Sequence, residues 1–361
     1  MIRTLSIAVC LLLVLGSTKV QAAEDGLQQG TPQLESAGAL AFGPDGILFV
    51  GDAAQGAIFA IDTGDAKESS ERPQLEVKGI DQAIAGQLGV TPRDILINDL
   101  AVNPASGNVY LSVSRGRGPD ATPVLMRVDS QGKISEVSLK NVRFDQTPLP
   151  NVPAPGGEGR QNKRAQSITD LAYVDGRLFI AGLSNEEFAS KLRAVEFPFQ
   201  KADPGTSVEI YHGAHGKFET DSPIRTFVSY GIEGEPHLLA AYTCTPLVQI
   251  SIKDLTPGAK IKGKTIAELG GGNRPLDMIV YEKDGKQFVL MANSRRGIMK
   301  ISTEGIENAE SITTKTGVAG QPYETITDWK GVDQLDSFDA KQALTLRKEG
   351  ESMLLETVAL P

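Results

Sequence analysis

The chain has 361 residues, of which 36 are Lys or Arg and 45 are Asp or Glu, for a formal net charge of −9. That acidic balance argues against nucleic acid or an anionic membrane surface as a partner, because both demand a basic face. A chain of this length buries most of its apolar surface on folding, and with only Cys10 and Cys244 it relies on that core instead of a disulfide framework.

The N-terminal stretch reads as an export signal. Arg3 supplies a positive start, Leu5 to Leu15 is almost unbroken apolar sequence, and Val20-Gln21-Ala22 is a small-residue cleavage pattern. Residues 1–22 are therefore expected to be a signal peptide, with 23–361 as a single domain delivered to the periplasm or the extracellular medium. Cys10 follows Val9, where lipid attachment would need a small residue, and signal removal leaves Cys244 as the lone cysteine. No later segment approaches the ~20 apolar residues of a membrane helix, so no transmembrane segment is expected in the mature chain.

Beyond the signal, one hydrophobic template recurs. Its first copy is Ala37 to Phe42, the turn Gly43-Pro44-Asp45-Gly46, Ile47 to Asp52, and Ala57 to Asp62. A second runs Ile97 to Val102, turns at Asn103 to Asn108, continues Val109 to Val113, and closes with Val124 to Asp129. A third pairs Ile168 to Tyr173 with Leu178 to Gly182 across Asp175-Gly176. Weaker copies follow at Thr226 to Ile252, Leu276 to Ile301 and Val332 to Val358. Short β-rich apolar runs bounded by Pro, Gly, Asn and Asp are strands and turns. A three-strand unit that restarts along the whole chain points to radially arranged antiparallel sheets. The expected fold is all-β, a β-propeller of six blades with room for a seventh.

Two insertions interrupt the template. Gly79 to Arg93 carries Ile80, Ala83, Ile84 and Leu88 near helical spacing before Thr91-Pro92, which predicts a short helix at a blade edge. Residues 145–166, rich in Pro, Gly, Asn, Gln and Arg, are expected to form a long polar loop.

The copies around Phe42 to Gly46, Asn103 to Asn108 and Asp175 to Leu178 resemble the repeats of NHL, YVTN-type and gluconolactonase-like propellers. The WD-repeat signature is absent, since the one tryptophan, Trp329, follows Asp328. The resemblance implies the fold. It also raises the divalent metal that gluconolactonase-like enzymes hold at the channel mouth, although no full ligand set carries over residue by residue.

Equivalent positions in a propeller converge on one axis, so recurrent polar residues are candidate ligand-binding groups at the channel mouth. Asp52, Arg115, Asn185 and Asn293 follow second strands, and Asp99, Asp170 and Asp277 open first strands. Such oxygen donors suit Ca²⁺; the bland alternative is that they satisfy turn backbone groups. Arginines cluster at Arg115 to Gly118 and at Arg295-Arg296, and with Gly270-Gly271-Gly272-Asn273-Arg274 they are candidates to receive a carboxylate or phosphate. The three histidines, His212, His215 and His237, fall in one stretch and are a candidate Zn²⁺ or Cu²⁺ site, with Glu219, Asp221 or Cys244 as a further ligand. Their spacing matches no established zinc signature, and surface histidines are the plainer reading.

No phosphate-binding loop, dinucleotide fingerprint, Cys-x-x-Cys-His haem motif or Gly-x-Ser-x-Gly elbow occurs, which leaves pyrroloquinoline quinone and a free divalent metal open. Three functions follow: an exported propeller that binds a small anion, peptide or partner protein; a metal-dependent hydrolase of the lactonase kind; and a copper- or zinc-binding envelope protein.

Overall fold

The computed structural model describes residues 26–157, 162–244 and 246–361. The signal-peptide expectation lies outside them. In chain order, β1 (Gln28–Gly30) precedes the first blade, β2 (Leu40–Phe42), β3 (Ile47–Asp52) and β4 (Ala57–Asp62). Next come β5 (Glu76–Lys78), α1 (Ile80–Gln87), and the second blade of β6 (Ile95–Val102), β7 (Val109–Arg115), β8 (Thr122–Val128) and β9 (Ile134–Glu136). After β10 (Val142–Pro148), the third blade comprises β11 (Asp170–Val174), β12 (Arg177–Leu183), β13 (Ser190–Glu196), β14 (Thr206–His212) and β15 (Lys217–Glu219). The fourth contains β16 (Ile224–Ile232), β17 (Glu235–Tyr242) and β18 (Pro246–Ser251). β19 (Lys260–Lys262) pairs in parallel with β14, and β20 (Lys264–Leu269) pairs with β18. The fifth holds β21 (Pro275–Lys283), β22 (Lys286–Asn293), β23 (Gly297–Ser302) and β25 (Tyr323–Ile326), while β24 (Val318–Gly320) crosses to the edge of the fourth. The sixth is β26 (Val332–Ser337), β27 (Gln342–Glu349) and β28 (Ser352–Ala359).

These strands make six sheets, and the molecule is a six-bladed antiparallel β-propeller. The template predicts each blade from local chemistry: short apolar runs bury the inner strands, as in the fully buried Ile47–Asp52, and left-handed residues such as Asp45 (φ 53°) and Asp175 (φ 48°) turn the hairpins. The predicted helix is α1, followed by a 3-10 turn at Pro92–Asp94.

Blade order departs from chain order. Blades lie around the ring as 2, 1, 3, 4, 5, 6 and back to 2. The core is divided accordingly into six apolar clusters, one in each seam between neighbouring blades. Two borrowed strands close the ring. β5 pairs with β28 to complete blade six, with Val77 opposite Leu355, and β10 pairs with β4 to complete blade one, with Gln146 opposite Phe59. The expected loop at 145–166 is thus a strand in its first part. The free edge of β4 offers an unpaired ladder, and pairing satisfies the backbone of Val142–Pro148 whatever its polarity.

Candidate functional site: the channel and its mouth

The innermost strands share a device. Asp99, Asp170 and Asp277 occupy the same register, opposite Ser112, Ala181 and Ala292 of the second strand. One oxygen of each accepts the N–H of the next residue, Leu100, Leu171 or Met278, at 2.8–2.9 Å. The other crosses the seam to the N–H of Leu40, Phe227 or Leu335, at 2.7–2.8 Å. Asp336, two residues further along its strand, repeats the pattern with Ser337 and Val102 at 2.7 Å. Four seams are therefore stitched by a carboxylate, while Ala39 and Thr226 take the equivalent place in blades one and four.

The three aspartates predicted as ligands do converge on the axis, but their oxygens are engaged by backbone N–H groups. Among the described residues they do not form a three-ligand group, so the lactonase alternative loses its ligand set. Burial lifts Asp99 and Asp277 well above the usual carboxylate range, and the neighbouring aspartates push the same way. Burial also raises Asp170 to about 7 and Asp336 to about 6 against the hydrogen bonds that oppose it. The channel leaves these side chains part-exposed, but narrow channel water screens charge less than bulk solvent does.

Below the aspartates lies a cavity of about 620 Å³ that includes Arg72, Asp336 and Phe338. Above them is a chamber of about 170 Å³ walled by Arg225 and Arg274. The same two arginines floor the mouth, about 570 Å³, whose wall carries Thr243, Cys244, Gly272, Ser294 and Arg295. Arg225 is the bulged residue at the start of β16, between paired Ile224 and Thr226, a device that re-aims a side chain. Its Nε is buried with no hydrogen-bond partner among the described residues. Burial, and then the charge of Arg274, push its guanidinium down to about 10. Hydrogen bonds tie the Gly270 to Arg274 segment to its neighbours. Asn273 accepts the Cys244 N–H at 2.9 Å through its backbone carbonyl, and Arg274 and Ser294 bond reciprocally at 2.9 Å.

Beside the mouth, the β14–β15 hairpin brings His212 and His215 together, ring centroids 3.8 Å apart. Glu219 accepts from the Nδ1 of both, at 2.8 and 2.6 Å, and from the Ser222 hydroxyl at 2.9 Å. Burial works against the Glu219 charge, but those hydrogen bonds outweigh it and hold the carboxyl at about 2. Cys244, with φ 64°, turns in from the β17–β18 loop. Ligand atoms of His212, His215 and Cys244 all lie within 4.8 Å of one another. His237 stands apart: it is near the start of β17, opposite Ser251, with its Nδ1 on the Glu235 carbonyl at 2.9 Å. A β-strand carries its two ends far apart, so closeness in sequence to Cys244 is separation in space.

The remaining predicted residues do other work. Asp52 is fully buried and accepts from the backbones of Glu35, Ser36 and Gln55 and from the Ser36 hydroxyl, at 2.7–3.1 Å. Asn293 caps its own turn, taking the N–H groups of Arg295 and Arg296 at 3.1 and 3.2 Å, and its amide donates to Asn273 at 3.2 Å. Asn185 lines a separate cavity with Lys163 and Glu186. Arg115 is exposed at the end of β7 and is not among the residues that line the mouth, whereas Arg295 lines it. Arg225 escapes the repeat-based reading because it occupies a bulge, repeated at Asn98, Leu276 and Asp333, that interrupts the strand alternation and carries the skipped residue to the axis.

No family model and no curated protein matches the chain. Among solved structures it is similar to a glucose dehydrogenase (14% identity, 93% of this chain and 99% of that one, TM-score 0.39). It is also similar to the PQQ-bound aldose sugar dehydrogenase of Streptomyces coelicolor (14%, 91% and 96%, 0.30). A third is the Cps50 (Swd1) β-propeller domain of Myceliophteria thermophila (12%, 92% and 90%, 0.35). At these identities the likeness concerns the propeller fold alone, and the site rests on the residues of this chain.

Proposed function

We propose that this is an exported, ring-shaped binding protein that holds a small anionic ligand, of the carboxylate or phosphate class, at the arginine-lined mouth of its channel. The observation that carries this reading is the buried, unpartnered Nε of Arg225 beside Arg274. Among the described residues, none of Arg225, Arg274 and Arg295 has an ion-pair partner. Arg225 is desolvated and lies beside the like charge of the exposed Arg274, and one anion between them offsets that cost through charge-assisted hydrogen bonds. The carboxyl groups next below the arginines, Asp99, Asp170 and Asp277, offer an anion no cation, which favours a ligand retained at the mouth over one that passes through.

Calorimetric titration of the mature chain with carboxylates, sugar acids and phosphate tests the proposal. Saturable binding is expected for at least one, weakened by added salt and reduced about 10- to 100-fold in Arg225→Gln or Arg274→Gln. Absence of binding across the panel, or equal affinity in both variants, overturns it.

A further inference from the structure

We infer that His212, His215 and Cys244 form a binding site for one zinc or copper ion, at the outer wall of the mouth. The first support is convergence: two imidazoles from one hairpin and a thiol from the neighbouring blade present ligand atoms within 4.8 Å of one another. Ligands of one tetrahedral zinc sit about 3.5 Å apart, a gap that small side-chain rotations close. The second is preorganisation. Glu219 accepts a hydrogen bond from the Nδ1–H of both rings, which fixes one tautomer in each and leaves both Nε2 lone pairs free, as carboxylate partners do for metal-ligating histidines. The third is independent of both: His212 is 2% exposed, and its Nε2 has no hydrogen-bond partner among the described residues. A buried imidazole nitrogen left unpaired is costly, and an ion beside it removes that cost.

Two imidazoles and a thiolate suit borderline and soft ions, zinc and copper, whereas calcium and magnesium take oxygen ligands. Binding converts the Cys244 thiol to a thiolate and releases its proton to solvent. Three protein ligands leave a coordination position for water. Glu219 is a positioning residue, and His237 takes no part. The site does not depend on the anion proposal, since none of its ligands belongs to the arginine set.

The test uses the mature chain, stripped with a chelator and titrated separately with Co²⁺, as an optical stand-in for Zn²⁺, and with Cu²⁺. Uptake of about one equivalent is expected, with a thiolate-to-metal charge-transfer band that disappears in Cys244→Ser. Zn²⁺ should displace Co²⁺ and bleach that band. Affinity should fall about 10- to 100-fold in Glu219→Gln, fall at least as far in His215→Gln, and stay unchanged in His237→Gln. Arg274→Gln should keep its metal, which separates failure here from failure of the anion proposal. His215 is exposed, so its variant folds even where a Cys244 variant does not. No charge-transfer band with either metal, or undiminished uptake in His215→Gln, overturns the inference.

Discussion

Asp336 accepts the backbone N–H of Val102 at 2.7 Å across 234 residues of sequence. The bond joins blade six to blade two, where the C-terminal blade meets the N-terminal part of the chain. Replacing Asp336 by Ala leaves that N–H buried and unpaired, with an expected cost of about 1–3 kcal/mol. Asp336→Asn keeps an acceptor oxygen and should cost less. Urea denaturation of the two variants measures the difference; equal losses would mean that the bond contributes nothing beyond side-chain packing.

The channel carboxylates make stability depend on pH. Asp170 and Asp336 are raised from 3.8 to about 7 and about 6, so between 3.8 and those values the folded state holds protons that the unfolded chain has released. Stability from these groups is complete below the unfolded pKa and is lost as pH rises through the folded values. The unfolding midpoint should therefore decline as pH rises from about 5 to about 8. Asp170→Asn, which removes one such titration, should flatten the slope. A midpoint that climbs through the window, or a slope unaltered in the variant, contradicts the assignment.

Ring closure through β5 implies that blade six is a weak point when its outer packing is damaged. Leu355 is fully buried, pairs with Val77, and packs in the seam that contains Ile80 and Ile84 of α1. Leu355→Ala should cost about 2–5 kcal/mol and accelerate proteolysis within residues 63–75. A loss of stability with no new cleavage there would show that closure is not what the leucine supports.

Close approach of backbones explains Gly182. A Cβ on it would lie 2.0 Å from the Ser167 carbonyl oxygen, a backbone atom that cannot rotate away. Gly182→Ala should destabilise by about 1–3 kcal/mol, as overpacking does. Gly231→Ala is the control: it too lies in a strand without a positive φ, and it has nothing within 4 Å, so it reports the added methyl without the clash. If the two cost the same, contact with Ser167 is irrelevant.

The blades were legible because each is a local object. Ala37 to Asp62 carries its own alternation and turn residues, and so does Ile97 to Asp129. Asp99, Asp170 and Asp277 were legible as one recurrent position, though their engagement across seams was not, because their acceptors' partners belong to other blades. Arg225 lay hidden in a strand-like run, Ile224-Arg225-Thr226-Phe227, where only a register shift turns it to the channel. His212 and His215 could be grouped by adjacency, while the choice between His237 and Cys244 depended on which end of β17 faces the mouth.

The sequence by itself determined the repeating antiparallel unit, its turns and the apolar runs that bury the inner strands, since these depend on neighbours a few residues apart. Tertiary structure alone decided that blade two sits between blades six and one, that β5 and β10 are lent to distant sheets, and that two histidines meet a cysteine beside paired arginines. The physical reason is that strand edges pair through backbone groups common to every residue. Which edge takes which strand is then settled by the packing of the whole ring, and no local pattern encodes it.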